Sequence, residues 1–292
     1  MILPGRAHLG HILRYVGRPL VLLFAWDVAV TAFWYFAHPR WTAEFPALPI
    51  TLLGSAVAVY LSFRNTTAYA RWWEARTLWG AMVNASRTLA REALSLMPSR
   101  GTAVTVAHRQ IAYVQALRLH LRRQSPWEEL APRLPAGDIE RLQQVANVPN
   151  AILSGTAELM ASAKPEPILW AALTRTLSDI SNAQGGMERI KNTPLPQQYA
   201  TYPAIFTHGF CLLLPLSLVE SLGIWTPLGS TVAGFLFLAL LQIGNDMQNP
   251  FENLDDDVPM STLTRAIEID LRDMLGESHG LTPLQPQDGI LL

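Results

Sequence analysis

The sequence predicts an all-α membrane protein with a cytosolic helical part, and three observations carry that expectation. Half of the 292 residues are hydrophobic and only 15% are charged, against about 25% charged in an average soluble domain. The mean hydropathy of +0.18 is high for a soluble enzyme and low for a chain embedded throughout. Four long apolar segments are present, and a charged region rich in Ala, Leu and Arg, without strand-like alternation, separates them into two pairs. A net charge of −1 and a pI near 6.7 give no basic footprint, so no nucleic-acid partner is expected. The single cysteine, Cys211, excludes a disulfide scaffold and a multi-cysteine zinc site.

A spanning helix needs about 20 mostly apolar residues, because its backbone must satisfy its own hydrogen bonds across about 30 Å of hydrocarbon. Residues 1–63 read as an N-terminal segment and a first hairpin with spans at 19–37 and 46–63. The first span carries Asp27 at its middle. That acid reads either as a functional intramembrane group or as the acceptor of a helix-to-helix hydrogen bond. No small-residue cleavage site follows its aromatic end, so it is not read as a signal peptide.

Residues 64–201 form the expected cytosolic helical region. Val106, Ile111, Val114, Leu117 and Leu121 predict a helix over Val104–Arg123. A second helix covers Ile168–Ile180, started by Pro165 and Pro167 and interrupted or ended by Gly185 and Gly186. Pro98–Gly101 and Ser125–Gly137 read as turns. Residues 202–244 form a second hairpin with spans at 204–219 and 221–244, divided by Glu220 and Gly223–Pro227. In residues 245–292, Asp255–Asp257 read as acids set against the N-terminal dipole of a helix. Leu263, Ile267, Leu271 and Met274 form its apolar face, and a loose tail follows Gly276.

The span flanks set the orientation. Arg14 and Arg18 precede the first span, Arg64, Arg71 and Arg76 follow the second, and Arg189 and Lys191 precede the third, with only Arg40 in the first hairpin and no Lys or Arg in the second. The positive-inside rule then puts both termini and the central region in the cytoplasm. No HExxH, Walker loop, GxGxxG or GxSxG motif is present, so no enzyme activity and no cofactor is expected.

The most unusual stretch is FRNTTAYARWWEARTLWGAMVNASRTLAR, from Phe63 to Arg91. Tyr69, Trp72, Trp73, Arg76 and Trp79 recur at spacings of three and four, which lines them along adjoining helix strips. The run allows indole–guanidinium stacking and an Arg71–Glu74 pair. Its beginning, with Arg64 and Asn65, resembles the pattern of the bestrophin family, closest to the bacterial members. Glu188–Tyr199 (ERIKNTPLPQQY) and Asn249–Pro259 (NPFENLDDDVP) resemble the same family in the same order.

That resemblance implies a homopentameric ion channel with one axial pore in a bacterial inner membrane. Its partners would be further copies of itself, membrane lipids and permeant monovalent ions. The neck would be lined by three residues of the second helix, which in this chain are Ser55, Val59 and Phe63. Rings of Val and Phe can gate by dewetting, and Ser55, in place of an apolar residue, implies a wetter outer ring. A second constriction would fall at Thr193, Pro194 and Leu195, with Leu195 forming the ring; a plain helix break is the alternative. Eukaryotic relatives hold calcium after the last span, and the matching candidates here are Asp246, Asn249, Asp255 and Asp257. Asp246 replaces the family's Gln, however, and Leu254 displaces one of the acids, so Asp255–Asp257 are read as caps of the following helix rather than as calcium ligands. Resemblance to bacterial members leans towards cations such as sodium. A chloride channel of the same architecture and a non-conducting membrane scaffold or sensor remain the alternatives.

Overall fold

The computed structural model describes residues 9–37, 47–286 and 290–291. Residues 1–8, Arg40, Pro46 at the expected start of the second span, and the last few tail residues lie outside the described part. The elements are helices: α1 (Leu9–Ala37), α2 (Ala47–Leu96), α3 (Arg100–Leu121), α4 (Trp127–Leu130), α5 (Ala136–Leu142), α6 (Val148–Ser162), α7 (Pro167–Asn192), α8 (Gln197–Leu222), α9 (Thr226–Met247) and α10 (Met260–Leu275). They pack as two units that change over at Trp72, Pro194 and Asn249.

The first unit holds α1, α8, α9 and α2 up to Arg71. Val16–Phe36 (mean hydropathy 1.6) and Gln197–Met247 (1.7) are long and apolar enough to cross a membrane, and only 22% and 28% of their residues are buried. A core helix of a water-soluble protein would hide far more of its apolar surface. Leu228, Val232 and Leu236 stand outward at every fourth position of α9. Pro19, Pro203 and Pro215 all lie inside helices, a pattern tolerated where neighbouring helices satisfy the freed carbonyls. α8 runs through Glu220 and Ser221 to Leu222, so the division of the second hairpin falls later than expected. Gly223, with φ +52°, makes the turn, and a single 3₁₀ turn leads into α9.

Asp27 is buried and accepts hydrogen bonds from Ser230 Oγ (3.0 Å) and Thr231 Oγ1 (2.8 Å) on α9. The helix-to-helix reading of this acid is the one the structure shows. Nearby, Leu23 occupies the space a side chain at Gly234 would need, so that glycine lets α1 and α9 approach closely.

The second unit is built around α3, which is buried on most of its faces. Ser99 caps it by accepting from the Thr102 N–H, and Asn147 caps α6 by accepting from Asn150 N–H at 3.0 Å. The stretch expected to be a turn at Ser125–Gly137 instead contains α4 and the start of α5, and Leu130 at the end of α4 is fully buried. α7 runs unbroken through Gly185 and Gly186. The reason is packing: a Cβ at Gly186 would lie 2.8 Å from Leu78 Cδ1, so the glycine admits α2. Several of the unit's buried polar groups are paired, with Tyr113 Oη donating to Gln184 Oε1 (2.8 Å) and Gln184 Nε2 to Glu188 Oε1 (2.7 Å).

α10 begins at Met260 with no acid in its first turn, so Asp255–Asp257 do not cap it. Its buried face includes Ile267 and Leu271, as expected, and it ends at Gly276 in the left-handed region (φ +74°). The first residues beyond it are tied down rather than loose. Glu277 meets Arg272 at 3.0 Å and His108 at 2.6 Å, and His279 meets Asp273 at 3.0 Å.

Glu268, buried on α10, meets Arg133 (3.2 Å) and Arg272 (3.1 Å). Burial pushes its carboxyl pKa up, but the two guanidiniums outweigh burial and hold it below its ordinary 4.5. A carboxylate with a lowered folded pKa contributes stability above its unfolded value and loses it as pH falls through the folded one. Glu268→Gln is expected to cost about 1–3 kcal/mol near neutrality. Melting curves at pH 7 and below pH 4.5 check this: the gap between wild type and variant should narrow at the acid end.

Candidate functional site

In the first unit, α2 has one packed and one open face. Gly54, Val57, Leu61, Arg64 and Ala68 are buried, and a Cβ at Gly54 would press on the Phe210 ring at 2.9 Å. Ser55, Val59 and Phe63 fall together on the open face, with Val59 56% and Phe63 64% exposed. The i, i+4, i+8 spacing therefore forms one uncharged strip. Ser55 Oγ donates to the Thr51 carbonyl of its own helix at 3.0 Å, which leaves its acceptor side outward.

Phe63 is followed by Arg64, whose side chain is fully buried. Its Nε donates to the Tyr199 carbonyl (2.8 Å), Nη1 to the Leu241 carbonyl (3.0 Å) and Nη2 to Asn245 Oδ1 (2.5 Å), with Gln248 Oε1 at 3.4 Å. Tyr199 is available because Pro203, four residues on, has no N–H to occupy that carbonyl. The other acceptors lie at the C-terminal, negative end of the α9 dipole. Gly244 opens the slot, since a Cβ there would be 2.5 Å from Arg64 Nη1. Beside it, Asn65 Nδ2 donates to the Leu240 carbonyl (2.9 Å) and Tyr60 Oη to the Gln198 carbonyl (2.6 Å). Arg64 forms no ion pair among the described residues. The sequence singled out Arg64 and Asn65 but missed Tyr60, Gly244 and Asn245. Pro203 was the available signal, because the carbonyl it frees needs a donor from elsewhere.

The motif aromatics divide by face. Trp79 is fully buried, Trp72 and Arg76 are half-buried, and Tyr69 and Trp73 are exposed. Arg71 Nε donates to the Gln248 carbonyl at 2.7 Å, while Glu74 pairs with Arg189. The expected Arg71–Glu74 pair is therefore not formed, because each side chain reaches a distant partner instead. In the second unit the three sequence motifs are joined by that Glu74–Arg189 pair, by Trp72 Nε1 donating to the Asp256 carbonyl (2.9 Å) and by Lys191–Glu252 (2.7 Å).

Thr193 is the C-cap of α7 and is exposed, Pro194 is exposed and Leu195 is half-buried, in the short non-helical link before α8. Asn249 and Asp255 are exposed, Asp246 is half-buried and Asp257 is buried. Asp257 Oδ2 accepts from the Leu254 N–H at 3.0 Å, so this acid closes its own turn, where Asn253 has φ +70°. Burial pushes the Asp257 pKa up against these backbone donors. Among the described residues no three His, Cys, Asp or Glu side chains gather to hold a metal.

Comparison with known proteins bears on this arrangement. The model of the Bacterial/Fungal Bestrophin protein family matches residues 6–273. Among sequence relatives, the voltage-dependent anion channel-forming protein RSc3414 of Ralstonia nicotianae is 36% identical, over 92% of this chain and 90% of its own. The voltage-dependent anion channel-forming protein YneE of Escherichia coli K12 is 34% identical over the same shares. Among solved structures, a bacterial bestrophin homologue from Klebsiella pneumoniae superposes with a TM-score of 0.85 at 27% identity, covering 89% of this chain and 98% of that one. With the family model spanning nearly the whole chain and the fold matching throughout, this membrane protein belongs to the bacterial and fungal bestrophin family.

Proposed function

We propose that the protein is a homopentameric channel of the bacterial inner membrane, with both termini cytoplasmic, that passes small monovalent ions through a neck lined by Ser55, Val59 and Phe63. The observation that carries this reading is the uncharged, outward strip on a helix whose opposite face is packed. Five copies of such a strip make stacked rings, and apolar rings gate by excluding water. The same reading makes Leu195 the second ring and leaves the acids after α9 with a structural role.

Anions are the ions this reading favours. The neck offers no carboxylate, and Arg64 places a guanidinium one residue from Phe63 with only neutral acceptors around it. The relatives' own names point the same way. Sodium is the second reading and rests on the resemblance to bacterial members.

Purified protein in a planar bilayer under a sodium chloride gradient tests both readings. A reversal potential on the chloride side is expected, and one on the sodium side replaces it with the second reading. Absence of current from a particle well short of about 162 kDa, five times the 32.4 kDa chain, would sink the channel and leave a membrane scaffold.

A further inference from the structure

Permeation leaves one part of the membrane unit unexplained. Arg18 lies near the start of α1, exposed, at the edge of the apolar stretch Val16–Phe36. It makes no hydrogen bond or ion pair among the described residues. An arginine at that depth is costly without an anionic partner or a route to the headgroup layer.

Two grooves meet at this side chain. One, of about 350 Å³, runs between α1 and α8 and is walled by Leu23, Trp26, Leu212 and Leu238. The other, of about 590 Å³, follows α1 along Gly17, Leu20 and Val21. Arg18 and Leu22 line both, and both volumes fall in the ~300–1,000 Å³ range of ligand sites. Their walls are almost wholly apolar, and among the described residues lining them only His208, in the first groove, is a further side chain that can carry positive charge. His208 Nδ1 is taken up by the Ala204 carbonyl at 2.6 Å. Trp26 Nε1 likewise donates to the Leu212 carbonyl at 2.9 Å, which fixes the indole as a rigid wall.

Two apolar channels converging on one unpaired cation match a molecule with two hydrocarbon tails joined at one anionic head. We infer that this site binds an anionic diacyl phospholipid of the surrounding bilayer, with its phosphate at Arg18 and one acyl chain in each groove. A neutral lipid would fill the grooves equally well but would leave the charge of Arg18 uncompensated. A neighbouring copy of the chain would fill them with side chains. None of the groove residues belongs to α2, so the inference does not depend on which ion permeates.

Trp26 reports on the site directly. Full-length protein in mixed micelles is titrated with phosphatidylglycerol or phosphatidylcholine brominated on the acyl chains, and Trp26 quenching is read as the difference between wild type and Trp26→Phe. One arginine near a membrane surface corresponds to about a fivefold preference for the anionic lipid. Half-quenching is therefore expected at about a fivefold lower fraction of phosphatidylglycerol. Arg18→Gln should erase that preference while leaving quenching by phosphatidylcholine intact. As a second measurement, ³¹P NMR of detergent-purified protein should show phosphatidylglycerol retained by wild type and lost from Arg18→Gln. Equal midpoints for the two lipids in wild type, or equal retention by both proteins, overturns the inference. So does a Trp26 that neither lipid quenches, because the grooves then hold protein.

Discussion

Phe63→Ala is expected to raise the single-channel current or open fraction about tenfold, the equivalent of about 1.4 kcal/mol off the barrier, while leaving the fold intact. Phe63 is 64% exposed in the chain, so truncating it removes little packing within the subunit, and exposed substitutions usually stay within about 0.5 kcal/mol. If the ring of five Phe63 side chains closes the neck by dewetting, loss of the largest side chain widens the ring and lets water persist. Leu61, two residues earlier and fully buried, is the control. Leu61→Ala should lower stability by about 2–5 kcal/mol with no comparable gain in current. Bilayer recording paired with thermal melts separates the two effects. A Phe63→Ala channel with wild-type current would place the neck elsewhere on α2.

How much of this was legible depended on how local each cause is. The apolar stretches could be read because length and hydropathy are properties of a contiguous segment; α1 contains the expected stretch 19–37 but begins earlier, and α9 begins later than 221. The continuity of α2 was also available: no proline interrupts it between Pro49 and Pro98, so nothing stops a helix that has left the apolar stretch. Gly185 and Gly186 misled because a helical glycine costs about 1 kcal/mol, whereas here its lack of a side chain admits Leu78. The acids at Asp255–Asp257 misled for a different reason. Pro259 occupies the N-cap of α10, and Asp257 folds back on Leu254 instead. For the site, the family resemblance picked out Ser55, Val59 and Phe63, and their i, i+4 spacing puts them on one strip of the helix. The partners of Arg64 were illegible because they lie far along the chain on two other helices, and no periodicity reaches that far.

Arg64→Ala should be the most damaging single change in the membrane unit, costing about 3–5 kcal/mol. The buried guanidinium is the donor for the Tyr199 and Leu241 carbonyls and for Asn245 Oδ1. Removing it strands these acceptors away from water and leaves a cavity as well. The Tyr199 carbonyl has no helical donor to fall back on, because Pro203 stands four residues later. Arg64→Lys keeps the charge but replaces a planar fork by a point charge that cannot reach acceptors on both α8 and α9 together, so about half the loss is expected. Gly244→Ala attacks the same site from the other side, driving a methyl to within 2.5 Å of Nη1 at a cost of about 1–3 kcal/mol. Thermal unfolding followed by size-exclusion chromatography should rank the variants as Ala at 64, then Lys at 64 and Ala at 244, below wild type. A loss under about 1 kcal/mol for Arg64→Ala would mean that the side chain meets water in the membrane, as an exposed cation does. The lysine variant also bears on permeation: it retains the positive charge beside Phe63, so the sign of its reversal potential should follow wild type even as its stability falls.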